Sequence, residues 1–249
     1  MANALLVRGL SKSFGGVQAV KNVDLAVAEG NVHSVIGPNG AGKTTAFNCI
    51  SGFLRPDSGQ VLIDGSDVTG WKAHRLVAVG MARTFQVTRI FGELTVLENV
   101  ALAVRSKNDK NFLMWRSAES YSDLHSEAFG ILEALGLGEH AEAPGDHLSH
   151  GDKRILEIAI ALALRPKILM LDEPTAGMSR GEAERIAVLI KGLTRQATIL
   201  LVEHDIDIVL GISNAITVID QGRVIATGSP AEISDNPSVQ QAYLGAKEG

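Results

Sequence analysis

Eight short stretches alternate apolar with polar positions or run apolar throughout: residues 5–7, 23–27, 32–36, 61–63, 168–171, 198–202, 216–219 and 223–226. Such patterns, bounded by turn residues, predict strands, and the continuous apolar runs suit strands covered on both faces. A helical apolar period appears over 43–51, closed by Gly52, and again over 127–135, 152–164 and 181–193. Strands alternating with helices predict an α/β fold. The first 30 residues instead read as an antiparallel sheet, with turn residues Gly15-Gly16 and Glu29-Gly30 between short alternating runs. Between about Thr88 and Arg165 the strand signals vanish, and the chain reads as helices with a polar patch at 105–111, a helical insertion in the core.

The 249 residues are enough for one large domain or two small ones with a substantial core. A hydrophobic fraction of 45% with 20% charged residues is ordinary globular composition and excludes a disordered or collagen-like chain. Lys plus Arg at 23 against Asp plus Glu at 28 leaves a net charge of -5, which disfavours a general nucleic-acid binder. Cys49 is the single cysteine, so an internal disulfide or multi-cysteine metal site is excluded; it reads as a small buried hydrophobe. The apolar stretches at 158–164 and 168–171 fall short of the about 20 residues a membrane span needs. Met1-Ala2-Asn3-Ala4-Leu5 has no charged leader before an apolar run, and no lipidation signal is visible. The expectation is a cytosolic chain that reaches a membrane only through another polypeptide.

The segment Gly37-Pro38-Asn39-Gly40-Ala41-Gly42-Lys43-Thr44, followed by Thr45, fits G-x-x-x-x-G-K-[ST] between a predicted strand and a predicted helix. Its glycines let the backbone curl so that successive N–H groups face phosphate oxygens, and the helix N-terminus adds partial positive charge. Lys43 is expected to neutralise the β- and γ-phosphates, and Thr44 to offer its hydroxyl to Mg²⁺.

A second apolar run ends in the acid pair Asp172-Glu173, and ligands of such sheets gather at the carboxyl ends of strands. Adjacent residues diverge as a strand ends, which suggests two roles: Asp172 holding Mg²⁺ directly or through water, and Glu173 as general base toward the water attacking the γ-phosphate. An N-cap or a solvated strand end is the plainer alternative.

With these residues in place the chain resembles the ATP-binding subunit of an ABC transporter, over nearly its whole length. The resemblance implies a P-loop NTPase (RecA-like) core with an N-terminal antiparallel β subdomain and an inserted α-helical subdomain. The expected division is one ABC ATPase domain over 1–249, with 1–87 and 166–249 as catalytic core and 88–165 as the helical signature subdomain. Gln86 in Arg83-Thr84-Phe85-Gln86 matches the family glutamine that joins the Mg²⁺ shell. Leu148-Ser149-His150-Gly151-Asp152 occupies the signature position, where Ser149 and Gly151 are implied to bind a γ-phosphate. Ala176-Gly177-Met178-Ser179 stands at the D-loop, and His204 matches the switch histidine that hydrogen-bonds the γ-phosphate. Phe14 matches the aromatic that stacks on adenine, with Val20 in the same implied nucleotide-binding set. Taken singly, Phe14 reads first as a core aromatic, His204 as a satisfied strand-end histidine, and Gln86 carries no signal.

His150 replaces the first glycine of the usual L-S-G-G-Q, and Asp152 replaces its glutamine. A carboxylate there repels a γ-phosphate unless it turns away or pairs with a base such as Lys153 or Arg154. The wording after Glu173, around His204 and over 236–245 resembles branched-chain amino acid uptake ATPases. Urea or amide import, or a soluble non-transport ABC ATPase, remain as alternatives. The resemblance also implies partners: a second ABC ATPase subunit, commonly a paralogue, two transmembrane permease subunits, and through them a periplasmic or extracellular solute-binding protein. Nucleic acid is not expected. The chain would lie at the cytoplasmic face of the plasma membrane, with a permease helix docking near 87–100, where Arg89, Phe91, Leu94 and Leu97 are candidate contacts. Phe112-Leu113-Met114-Trp115 reads as an apolar cluster buried in the helical insertion.

Overall fold

The computed structural model describes residues 2–84, 90–108 and 118–245. The chain opens with β1 (Asn3–Phe14), β2 (Val17–Ala28), β3 (Val32–Ile36), α1 (Lys43–Ile50), β4 (Ser58–Ile63), β5 (Ser66–Asp67), α2 (Ala73–Ala78) and β6 (Met81–Arg83). Three helices follow, α3 (Val96–Asn108), α4 (Ala118–Ala134) and α5 (His150–Ala163). The last part runs β7 (Ile168–Asp172), α6 (Arg180–Gly192), β8 (Thr198–Val202), α7 (Ile206–Ile212), β9 (Ala215–Asp220), β10 (Arg223–Gly228), α8 (Pro230–Ser234) and α9 (Pro237–Gly245).

Two sheets result. The first is antiparallel, in the order β2-β1-β4-β5. The second runs β10-β9-β3-β8-β7-β6, with parallel pairing from β9 to β6 and antiparallel β10 at one edge. The hairpin of β1 and β2 turns at Gly15-Gly16, as the pattern predicts, but its strands are much longer than the runs at 5–7 and 23–27. Register shifts after Asn3, Val7, Leu10 and Lys12 interrupt the two-residue alternation, so only the uninterrupted middle is legible in sequence.

Helix α1 lies between the two sheets. Its Phe47, Cys49 and Ile50 share a core with Leu5, Val7 and Leu10 of β1, Val61 of β4, Met170 of β7 and Val202 of β8. The Cys49 thiol is pushed up to about 11 by that burial, which leaves it an inert packing group. Among the described residues no strand lies between Arg83 and Ile168; α3, α4 and α5 fill that interval and pack with α6, β7 and β8 in one apolar cluster. Helix α3 absorbs the start of the polar patch at 105–111, with Arg105 and Ser106 exposed, and α4 begins nine residues before the predicted 127 (127 minus 118). The cluster Phe112-Leu113-Met114-Trp115 falls outside the described residues.

Candidate nucleotide site

Strand β3 delivers the chain into the loop of residues 37–42, and α1 departs from it. The loop is squeezed at both ends. A Cβ on Gly37 would stand 1.9 Å from the Ile219 carbonyl oxygen, and one on Gly42 would stand 2.3 Å from that of Ala19. Both also have positive φ, 153° and 100°, so only glycine fits. Gly42 is the N-cap of α1 and has no side chain to satisfy the first-turn N–H groups, which are left for an anion. Lys43 Nζ donates to the carbonyls of Gly37 at 2.7 Å and Pro38 at 2.9 Å, folded back under its own loop. Burial lowers the Lys43 pKa, and the negative charge of Glu173 works in the opposite direction. Thr44 is exposed in the first turn of α1, and Thr45 is half-buried.

The acid pair ends β7, two strands from β3 through β8. Asp172 continues the strand and is buried, with Oδ2 accepting from Arg83 Nη2 at 2.7 Å. Glu173 takes a left-handed φ of 46°, donates its N–H to the Val202 carbonyl at 2.8 Å, and so turns its carboxylate off the path of Asp172. Its carbonyl accepts from Arg154 Nη2 at 3.1 Å. At the end of β8, His204 brings Nδ1 to 3.9 Å from Glu173 Oε2 and 3.5 Å from Glu203 Oε2. Thus Lys43, Glu173 and His204 converge from β3, β7 and β8 at one sheet edge.

Two residues that sequence reasoning left without a role hold this edge together. Glu203 is fully buried; it accepts from the backbone N–H and hydroxyl of Thr175 and from the His204 N–H. It ties the turn after Glu173 to the turn that carries His204. An acid at the end of the apolar run 198–202 was the available signal. Arg83 holds Asp172, and its only sequence cue was its place three residues before Gln86. Gln86 itself, like Arg89, lies outside the described residues.

Thr44 and Asp172 offer a hydroxyl and a carboxylate, hard oxygen donors that suit Mg²⁺. No cluster of three or more His, Cys, Asp or Glu able to hold a metal exists among the described residues. Phe14 is 47% exposed at the end of β1, with Lys12 Nζ 5.7 Å from its ring centroid. Val20 is buried at 1% in the core beneath the loop, so its side chain packs inward; the Ala19 carbonyl is what meets the loop there.

Ser149 and Gly151 sit apart from this cluster, at the start of α5. Ser149 caps the helix: Oγ accepts from the Asp152 N–H at 3.1 Å and donates to Asp152 Oδ2 at 2.7 Å. Gly151 is buried against α6, where an added Cβ would meet Glu182 Oε1 at 3.3 Å. Asp152 pairs with neither Lys153 nor Arg154; its Oδ1 is 3.3 Å from Arg185 Nη1 on α6. Positions 152 and 154 face different sides of a helix, and Arg154 is buried against Glu157 and the Glu173 carbonyl.

The ABC transporter family profile matches residues 20–176, and that of the branched-chain amino acid ATP-binding cassette transporters matches 223–249. The high-affinity branched-chain amino acid transport ATP-binding protein BraF of Pseudomonas aeruginosa is 43% identical over 97% of each chain. LivG of Escherichia coli, of the same description, is 42% identical over 97% of each. Among solved structures, an ABC transporter cassette in its ADP conformation superposes with a TM-score of 0.86 at 32% identity, covering 98% of this chain and 100% of that one. A dimeric bacterial ABC transporter cassette gives 0.76 at 28%, covering 91% and 98%. Phosphate loop, acid pair and strand-end histidine at one sheet edge, in a chain alike to these relatives from end to end, make it a member of the ABC transporter family of ATP-binding cassettes.

Proposed function

We propose that this protein hydrolyses ATP to drive import of branched-chain amino acids. The ATPase reading is carried by the convergence of Lys43, Glu173 and His204 from three strands. The solute reading is supported by the end-to-end likeness to BraF and LivG.

In this reading the loop N–H groups between residues 39 and 45 and the Lys43 ammonium hold the phosphates. Thr44 and Asp172, with Gln86, would hold Mg²⁺, which would supply neutralisation of phosphate charge. Glu173 accepts a proton from the attacking water; the water oxygen bonds to the γ-phosphorus, the bond to the bridging oxygen breaks, and ADP leaves. His204, held through its backbone by Glu203, donates to the γ-phosphate, and Phe14 stacks on adenine. Ser149 and Gly151 serve the ATP of a second ABC ATPase subunit, a paralogue, across a shared site.

Two permease subunits hold the protein at the inner face of the plasma membrane, and an outer solute-binding protein supplies the amino acid. Among the described residues no helix is long and apolar enough to cross a bilayer. A cleft of about 240 Å³ between α2, β6 and α5, lined by Phe53, Leu76, Val77, Ile160 and Leu164 among others, suits an apolar permease helix. Of the candidates near 87–100, Phe91 is 63% exposed and available for contact, whereas Leu97 packs partly onto the core. Net charge of -5 gives no support to a nucleic-acid partner.

The test is the assembled transporter in vesicles with leucine as solute. Glu173→Gln is expected to bind ATP normally while turnover falls by about two to four orders of magnitude. Turnover near wild type in that variant refutes the general-base role, and absence of leucine uptake with intact ATPase refutes the solute.

A further inference from the structure

Arg83 ends β6, and its backbone pairs with Met170 of β7, so its side chain starts one strand away from Asp172. The guanidinium then spans three acceptors on two elements. Nη2 donates to Asp172 Oδ2 at 2.7 Å, while Nη1 donates to Asn48 Oδ1 at 2.7 Å and to Ser51 Oγ at 2.6 Å. Asn48 and Ser51 belong to the last turn and C-cap of α1, the helix that carries Lys43 and Thr44 at its other end. The rings of Phe47 and Phe53 lie against the cation, 4.8 Å and 5.0 Å from it. Ser51 Oγ in turn donates to the Phe47 carbonyl at 2.7 Å, which fixes its lone pairs toward the arginine.

This arrangement is costly as plain architecture. The pair is almost fully buried, and among the described residues neither Arg83 Nε nor the neighbouring Thr84 hydroxyl has a hydrogen-bond partner. A buried ion pair with an unsatisfied donor contributes less to stability than apolar residues of the same volume. What it supplies is geometry. One planar fork holds the carboxylate at the end of β7 at a set distance from the phosphate-loop helix, and occupies one of its two oxygens.

We propose that Arg83 is a positioning residue for the metal side of the nucleotide site: it locks Asp172 Oδ2 to α1 and so orients the carboxylate with its other oxygen toward the cation. The inference rests on reading Thr44 and Asp172 as the metal donors. Lysine at this position retains the charge but cannot reach three acceptors in one plane.

The test is nucleotide binding by the purified subunit, with Mg²⁺ and with chelator, for wild type, Arg83→Gln and Arg83→Lys. Metal-free ATP affinity is set by the loop and Lys43 and is expected to stay within about twofold of wild type in both variants. The gain in affinity on adding Mg²⁺ is expected to shrink by roughly 10- to 100-fold in Arg83→Gln, the cost typical of losing an outer-shell partner. It is expected to recover only in part in Arg83→Lys, whose retained charge guards the fold. An undiminished Mg²⁺ gain in Arg83→Gln overturns the proposal, as does an equal fall with and without metal in both variants, which marks a purely structural role. A wild-type subunit that binds ATP no better with Mg²⁺ refutes the metal reading itself, and is told apart from failure of the proposal because it appears before any substitution.

Discussion

The strand that feeds the phosphate loop carries a buried histidine as its second residue, and this makes the fold acid-sensitive in a calculable way. His33 is 2% exposed; its Nε2 lies 2.8 Å from Thr217 Oγ1, itself 3.0 Å from Thr227 Oγ1. Burial lowers its pKa from 6.5 to about 4. The unfolded chain therefore takes up the proton more readily, and stability is complete above pH 6.5 and declines as the pH falls toward 4. At about 1.4 kcal/mol per pH decade, the full loss is roughly 3 kcal/mol, of which about 2 kcal/mol is gone by pH 5. For a chain of this size that is a drop in melting temperature of roughly 4–8 °C. Other groups titrate over the same range, so the assay is a difference: melting curves of wild type and His33→Asn at pH 7.5, 6 and 5. Asparagine keeps a polar partner for Thr217, and its packing cost does not depend on pH. Wild type is expected to lose about 2 kcal/mol more than the variant between pH 7.5 and pH 5. Parallel pH profiles would show that protonation of His33 does not strain the folded sheet.

Gly37→Ala is expected to cost at least about 2 kcal/mol and most of the ATP affinity, because its Cβ would overlap the Ile219 carbonyl. Gly40→Ala, with φ at 79° but nothing within 4 Å, should cost only about 1 kcal/mol; equal melting temperatures for the two would refute the close-approach argument. Asp152→Gln removes the charge that occupies the Ser149 hydroxyl and pairs with Arg185. Since Arg185 is exposed, stability should change by less than about 1 kcal/mol, ATP binding by the isolated subunit should hold, and turnover of the assembled complex should equal or exceed wild type. A large fall in turnover would mean that the carboxylate itself makes a needed contact.

The parts legible in sequence are those written in contiguous residues. Gly37 to Thr45 encodes its own curl and helix start; the run 168–171 ahead of Asp172-Glu173 encodes a buried strand with acids at its carboxyl end. The order of Phe14, Gln86, Ser149 and His204 around them carried the family. Local physics suffices there, because glycine torsions, strand alternation and helix N-termini act over a few residues. Pairings between distant segments were decided only by the tertiary structure. Arg83 meets Asp172 across 89 positions, and Thr175 meets Glu203 across 28. Asp152 finds Arg185 across 33, bypassing the neighbouring bases that sequence proximity suggested. Val20, a site candidate in sequence, packs inward because the irregularity at Asn22, with φ of 53°, breaks the alternation of its strand between Val20 and the buried Val23, Leu25 and Val27. Burial removes water as the competing partner, so each of these polar groups must find its complement wherever packing of the two sheets and α5 brings one. No local pattern announces that partner, because the energy that selects it exists only once the intervening chain has folded.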